Sequence, residues 1–429
     1  MTALPTAASR GLAPTRDVLP NGVTVLSKST AVTPAVTLNA SIHAGAIFDP
    51  PALDGVSHFV SKTIDRGTTT RSADQIAEEL DGRGVSLAVL LSRHALSLTC
   101  TCLVEDFEAV LALLADIIRA PTFPPAEVDS RRGEVITLIR QDEDSPAVVA
   151  VDALMEALYG HVHPYGRRTR GTAETAERID RAVLQAFHAA HVTPAALSLA
   201  IVGDIESGRA RDAASASFGG WTGTPGAQVE FPPVPGASGR RTRVVPMMNK
   251  SQADVAYGFT AITRADPAYY AFWLMNNILG QYSLGGRLGD SIRERQGMAY
   301  YVFSTLDANL APGPLMIRAG VSPSNVARAV ASIDAELASL VADGPTEQEV
   351  IESKQYLIGS LPRTLETNAG IASFLQTTEF FGLGLDYDVR VPGLLQAVTR
   401  DAVHDAARRV VDPSKAAVVV AGPYDGPLP

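Results

Sequence analysis

The chain has 429 residues, 46% of them hydrophobic and 19% charged, the composition of a folded protein with material for two or three cores. Its formal charge of −10 excludes a general nucleic-acid binder, which would carry a net basic surface. The densest basic runs, Arg167-Arg168 with Arg170 and Arg240-Arg241 with Arg243, are short enough to be solvated loops, and no stretch approaches the roughly 20 apolar residues of a membrane span.

Residues 1–17 read as an Ala/Thr/Pro-rich tail without a signal-length apolar run, which suits a cytoplasmic protein, or a periplasmic one whose leader was removed. Strand patterns follow at 23–27 and 36–43, then Asp49-Pro50 and an amphipathic helix opening near Asp54-Gly55. Residues 86–91 and 95–104 alternate as a hairpin turning at Ser92-Arg93. Within it Cys100 and Cys102 share one strand face, as small core residues do. Helices are expected over 106–118, 125–141 and 324–341.

The pattern then repeats. A strand at 255–263 leads into Asp266-Pro267, 217 residues after Asp49-Pro50. Pro194, an apolar strand and Gly203 recur 219 residues later as Pro413, an apolar strand and Gly422. Between the halves, 219–239 is rich in Gly, Pro, Thr and Ser and cannot continue a helix or a central strand. The expectation is an α+β fold of two homologous tandem domains, each a mostly antiparallel sheet packed with helices. A tail (1–17) precedes an N-terminal domain (18–220), a linker (221–240) and a C-terminal domain (241–429).

On the helix near 58, Val56, Phe59, Val60 and Ile64 form an apolar stripe. His58, Ser61, Lys62 and Asp65 share the opposite, polar face, with 58 and 62 one turn apart. Two histidines at that spacing would hold zinc and an adjacent glutamate would activate its water. Here the second position is an ammonium, and Ser61 has no basicity for general-base work.

Several motifs stand in order along the chain: Leu19-Pro20-Asn21-Gly22-Val23; Gly55-Val56-Ser57-His58-Phe59; Arg66-Gly67-Thr68; His163-Pro164-Tyr165-Gly166 with Gly171-Thr172; Val202-Gly203-Asp204; Gly285-Gly286-Arg287-Leu288; and Ile292 through Tyr300. Together they resemble the pitrilysin/insulinase family of zinc metallopeptidases, the group of the mitochondrial processing peptidase, over about residues 19–423. The resemblance places that family's His-x-x-Glu-His on His58, Ser61 and Lys62, so only the first ligand is kept. Its later glutamate ligand falls on Leu138, with Glu134 one turn earlier.

The family's arginine and tyrosine, seven residues apart, which grip the substrate backbone and steady the tetrahedral intermediate, match Arg293 and Tyr300. These positions imply the zinc-deficient chain of a half-length heterodimer that closes like a clam on a peptide. Arg293 and Tyr300 would be its catalytic contribution; His58, Ser61, Lys62 and Leu138 would be degenerate positions holding no metal. Zinc is expected in a homologous partner subunit with an intact motif, and the substrate is an extended oligopeptide. The family binds substrate by edge-strand pairing, yet the edge strand here reads Leu87-Ala88-Val89-Leu90, which lacks the usual polar contacts. A structural or peptide-binding pseudopeptidase is therefore the second reading. A third is an autonomous peptidase in which His58 is joined by His161 or His163 as substitute ligands. Lys62 is expected to replace the lost ion's charge, pairing with Asp65 or another nearby acid.

Overall fold

The computed structural model describes residues 11–224, 226, 229–281 and 286–429; most of the expected tail and Gly285 lie outside them. The apolar patterns fold into two sheets. The first contains β1 (Thr15–Val18), β2 (Thr24–Ser29), β3 (Ala35–Ile42), β4 (Ala88–Leu91), β5 (Leu96–Leu103) and β6 (Leu197–Gly203), in the order β1-β2-β6-β3-β5-β4. The second contains β7 (Arg241–Pro246), β8 (Ala253–Thr260), β9 (Ala299–Leu306), β10 (Pro314–Val321) and β11 (Ala417–Gly422), in the order β7-β11-β8-β10-β9. Apart from β1 the two orders correspond strand for strand, and in each the sole parallel pair among the described residues is the matching one, β2 with β6 and β7 with β11. The class is α+β, built from two copies of one plan.

The repeated glycines explain part of that plan. Gly203 and Gly422 close β6 and β11 at φ of 154° and 136°. A Cβ on either would come within 2.6 Å of backbone at the start of β3 or β8, so only glycine fits at each strand end. Cys100 and Cys102 are free thiols buried in the core, as their shared strand face predicts. The Arg240 to Arg243 run departs from the expected loop. It enters β7, with Arg240 forked onto Asp334 at 2.9 and 3.0 Å and Arg241 donating to the Ala157 carbonyl.

The chain divides into two compact units that are not consecutive halves. One comprises Met1–Ile139, Arg168–Glu230 and Ser360–Val391; the other comprises Arg140–Arg167, Phe231–Gly359 and Pro392–Pro429. Each unit thus takes one segment from the other half of the sequence. In the first unit the helix Asn368–Phe380 packs on β3 and β6, and in the second the helix Pro146–Tyr159 packs on β8 and β11.

These helices account for the unbroken burial of β6 and β11, since a strand covered on both faces shows a continuous apolar run. In β6, Leu197, Leu199 and Ile201 face the main core, while Ala200 and Val202 join Leu26, Ile371 and Leu375 in a second one. Gln376 pins the covering helix, donating from Nε2 to the carbonyls of Asn39 at 2.6 Å and Ser198 at 2.9 Å.

Replacing Gln376 with Leu removes both bonds and leaves the apolar packing, so stability should fall by about 1–3 kcal/mol. Urea denaturation of the two proteins measures this; an unchanged midpoint would show that the helix is held by its apolar face alone.

Candidate functional site

The helix Val56–Thr63 starts at Gly55, whose φ of 95° suits glycine alone. A Cβ there would stand 2.4 Å from the Arg170 carbonyl oxygen, and one on Gly171 would stand 2.0 Å from that of Asp54. Segment 170–171 therefore crosses the helix start at backbone contact. Asp49 holds the same turn, accepting from the amides of Gly55 at 2.7 Å and Ser57 at 2.9 Å, where a helix start leaves N–H groups in need of acceptors. Burial pushes the Asp49 carboxyl up to about 7, against the pull of those bonds. Asp49 was legible only as a landmark of the repeat; its capping role carried no sequence signal, because the amides it serves are six and eight residues away.

The apolar stripe is as expected: Val56, Phe59, Val60 and Ile64 are fully buried, each contributing roughly 1.5–3 kcal/mol. The opposite face is only partly open to solvent, since two of its four residues are buried. His58 is 8% exposed and Ser61 5%. Burial, reinforced by the charges of Lys62 and Arg170, pushes the His58 imidazole down to about 4, and its Nε2 is buried without a hydrogen-bond partner. The Ser61 hydroxyl donates to the His58 carbonyl at 2.6 Å and is spent on the backbone.

Lys62 is half-buried and forms no ion pair among the described residues. The expected partner, Asp65, instead pairs with its neighbour Arg66 at 3.2 Å, a shorter reach than a full helical turn. On the helix Pro125–Glu143, Leu138 is partly buried and offers no donor atom. Glu134 is held at 2.5 and 2.6 Å by one Arg131 nitrogen. Arg131 first, then Arg66 and Lys62, draw its carboxyl below the usual range, which places the charges of the two helices within reach of one another.

In the other unit, His163 is 1% exposed and its Nδ1 accepts from the Tyr165 amide at 3.0 Å, with Tyr159 and Phe231 against its ring. His161 stands in solvent 3.0 Å from Glu156. Both are loop residues with their own partners. Arg293 lies in the π-helical segment Gly289–Arg295, closed by Gly297 at φ of 61°. Tyr300 is the second residue of β9, an outer strand of its sheet. Both side chains are exposed, 41% for Arg293 and 66% for Tyr300, and among the described residues Arg293 has only a 3.7 Å contact to Glu294 as an ion pair. The neighbouring Tyr301 turns inward and donates to the buried Asp254.

Residues 24–173 match the sequence model of "Insulinase (Peptidase family M16)", and residues 178–357 match that of "Peptidase M16 inactive domain". The chain belongs to the M16 family. An "uncharacterized zinc protease" of Bacillus subtilis, YmxG, is 27% identical to this M16 chain over 391 residues, 91% of this chain and 94% of that protein. One from Mycobacterium tuberculosis H37Rv is 26% identical over 428 residues, 98% and 95% of the two chains. Among solved structures, a peptidase M16 inactive domain from Pseudomonas fluorescens superposes with a TM-score of 0.89 at 27% identity, covering 97% of this chain and 100% of that one. A protease from Helicobacter pylori shares the fold, with a TM-score of 0.88 at 17% identity and coverage of 96% and 99%.

The zinc ion that the relatives' names imply does not fit the residues at the positions that the motif resemblance assigns to it in this M16 chain. Of the donors required, only the His58 imidazole is present; an ammonium, an engaged hydroxyl and an isobutyl group hold the other places. Among the described residues, no three His, Cys, Asp or Glu side chains converge as a metal ion needs.

Burial of the histidines gives a pH dependence. His94, like His58, is pushed down to about 4, by burial first. Between about pH 6.5 and about pH 4 the unfolded chain binds protons at these rings that the folded chain does not, so stability falls as pH drops through that window, by on the order of 1–3 kcal/mol per ring. Denaturant titrations at neutral pH and near the lower limit should show a smaller acid loss for the variant His58→Gln with His94→Gln; an equal loss assigns the acid sensitivity to other groups.

Proposed function

We propose that this chain is the non-catalytic subunit of a two-chain zinc peptidase. It completes the active site of a homologous zinc-bearing partner and helps enclose an extended oligopeptide. The observation that carries this reading is the exposure of Arg293 and Tyr300. A guanidinium and a phenol that served only this chain's own fold would be expected to bury their apolar parts or hold fixed partners; these two stand in solvent, on a π-helical segment and a sheet edge. Such donors can stabilise the negative charge that develops on a carbonyl oxygen as a peptide bond is attacked, and π-helical turns recur at functional sites. The metal positions support the same division. Lys62 repels a divalent ion, and Leu138, at the position the resemblance gives to the later ligand, offers no donor atom, so the chemistry would have to come from another chain.

A structural or peptide-binding pseudopeptidase is the second reading. It is favoured by β4, an outer strand whose Leu90 is 63% exposed and whose side chains offer a substrate no polar contact. Substitute ligation by His161 or His163 is disfavoured by the partners those two rings already have.

Mixing the chain with its zinc-bearing homologue should produce oligopeptide cleavage that neither shows alone. Arg293→Ala should lower kcat by about 100-fold or more with little change in KM, the size of effect seen when one oxyanion donor is removed. Full activity in that variant removes the proposed role and leaves the second reading.

The metal loss has its own test. Lys62→His with Ser61→Glu should still take up no zinc until Leu138→Glu is added, because two histidines alone leave the ion short of its third protein ligand. Stoichiometric zinc in the double variant, by elemental analysis, would show the site to be less dismantled.

A further inference from the structure

We infer that the helical turn bearing His58 and Lys62 is an anion site, and that its ligand is the carboxylate of a bound peptide. The peptide part rests on the peptide-handling reading above; the anion site stands on the geometry of the turn itself.

Two independent observations meet there. His58 is 8% exposed and its Nε2 has no hydrogen-bond partner. A buried polar atom left unpaired costs about 1–3 kcal/mol, so an orphan in a well-packed helix calls for an occupant. One turn along the same face stands Lys62, half-buried, without an ion pair among the described residues. Residues four apart on a helix are neighbours, and the charge of Lys62 is felt at the His58 ring. An ammonium and an imidazole nitrogen one turn apart on one helix face are two groups that a single anion can bridge.

The nearby acids do not fill that position. Asp65 is taken by Arg66 at 3.2 Å and Glu134 by Arg131 at 2.5 Å, while the charge of Glu127 acts on Asp65 and Arg131. Arg170 adds positive potential at the ring. One cation without an ion-pair partner suits a monoanion. A carboxylate offers two oxygens, one for the ammonium and one for the imidazole N–H, and such charge-assisted bonds are about twice as strong as neutral ones. A phosphate dianion would bring a second charge that nothing in the turn is free to meet.

Neighbouring structure favours a peptide over a free small acid. The helix Val56–Thr63 packs against β4, whose outer edge pairs with no other strand among the described residues. Open strand edges take up extended peptides through main-chain hydrogen bonds, and a chain laid on that edge runs beside the turn.

The test titrates the full-length protein with acetate while following the His58 imidazole nitrogens by NMR, in the native chain and in Lys62→Gln and Lys62→Arg. Saturable shifts are expected, weakened about fivefold or more by Lys62→Gln and kept by Lys62→Arg, in line with the loss of one charge-assisted bond. A linear response, or one equal in native and Lys62→Gln proteins, overturns the anion site whether or not peptides bind. Inorganic phosphate binding more tightly than acetate overturns the monoanion assignment.

A second arm compares a short peptide with a free C-terminus, its C-terminal amide, and the amide carrying an internal Glu. Tighter binding of the free acid assigns the ligand as a chain terminus; tighter binding of the Glu peptide assigns it as an acidic side chain. If acetate binds but all three peptides bind equally or not at all, the peptide assignment falls and the anion site stands. The subunit role is decided separately, by the mixing assay.

Discussion

The site depends on one backbone constraint: the start of the helix Val56–Thr63 is trapped between the Asp49 carboxylate and the crossing strand of chain at Arg170-Gly171. Glycines at 55 and 171 allow main chains to touch where any side chain would collide. Thr175 tightens the crossing by donating to the Asp54 carbonyl at 2.8 Å. With the first turn fixed there and the apolar stripe buried below it, positions 58, 61 and 62 have no freedom to choose another orientation. The turn to which the resemblance assigns a metal motif is therefore held in place without that motif's residues. None of the clamp residues is one that a metal would need, so substitution at the chemical positions leaves the scaffold intact.

A second constraint acts on the fold as a whole. Each sheet has a central strand, β6 or β11, buried on both faces, and in each unit the helix covering the second face comes from the opposite half of the sequence. Neither half of the chain carries a complete set of cover for its own sheet. A fragment of the first half alone would expose Ala200, Val202 and Leu26, and would lose the Gln376 bonds to β3 and β6. The duplication is thus visible in the strand order while the folding units are not simple repeats.

Much of this was legible in sequence, for a reason that also limits what could be read. The recurring motifs are turn chemistry. Gly22 closes a turn with its amide on the Leu19 carbonyl, and Asn21 ties that turn to the carbonyls of Phe218 and Trp221. Gly67 takes a φ of 136°, and the Thr68 hydroxyl donates to Asp116. Gly203 meets the start of β3. Such residues encode backbone crossings directly, so the fold and the hairpin β4–β5 could be read from them. The exchanged helices could not. The unbroken apolar runs of β6 and β11 say that both faces are covered, but periodicity in a helix says only that it has an apolar side. The state of the site was hidden for a similar reason: a helical wheel places His58 and Ser61 on a polar face, and only tertiary packing decides that both are buried.

Burial changes what the degenerate positions mean. At an exposed helix face, Lys62 would be one more solvated charge, worth little to any ligand. Half-buried beside a neutral, unpartnered imidazole, with Asp65 and Glu134 committed to arginines, its charge is poorly screened. For a dication about 5.5 Å away the repulsion is roughly 6 kcal/mol at an effective dielectric of 20, and for a monoanion at the same place the attraction is roughly half that. The first figure is large against the binding free energy of a site reduced to one imidazole; the second is comparable with a specific charge-assisted contact. An ammonium at 62 therefore favours an anion over a cation at this turn. Arg170 extends that effect beyond one side chain, since its charge also acts at the His58 ring. The family scaffold holds the turn in place, and the charges now grouped around it set its preference for an anion.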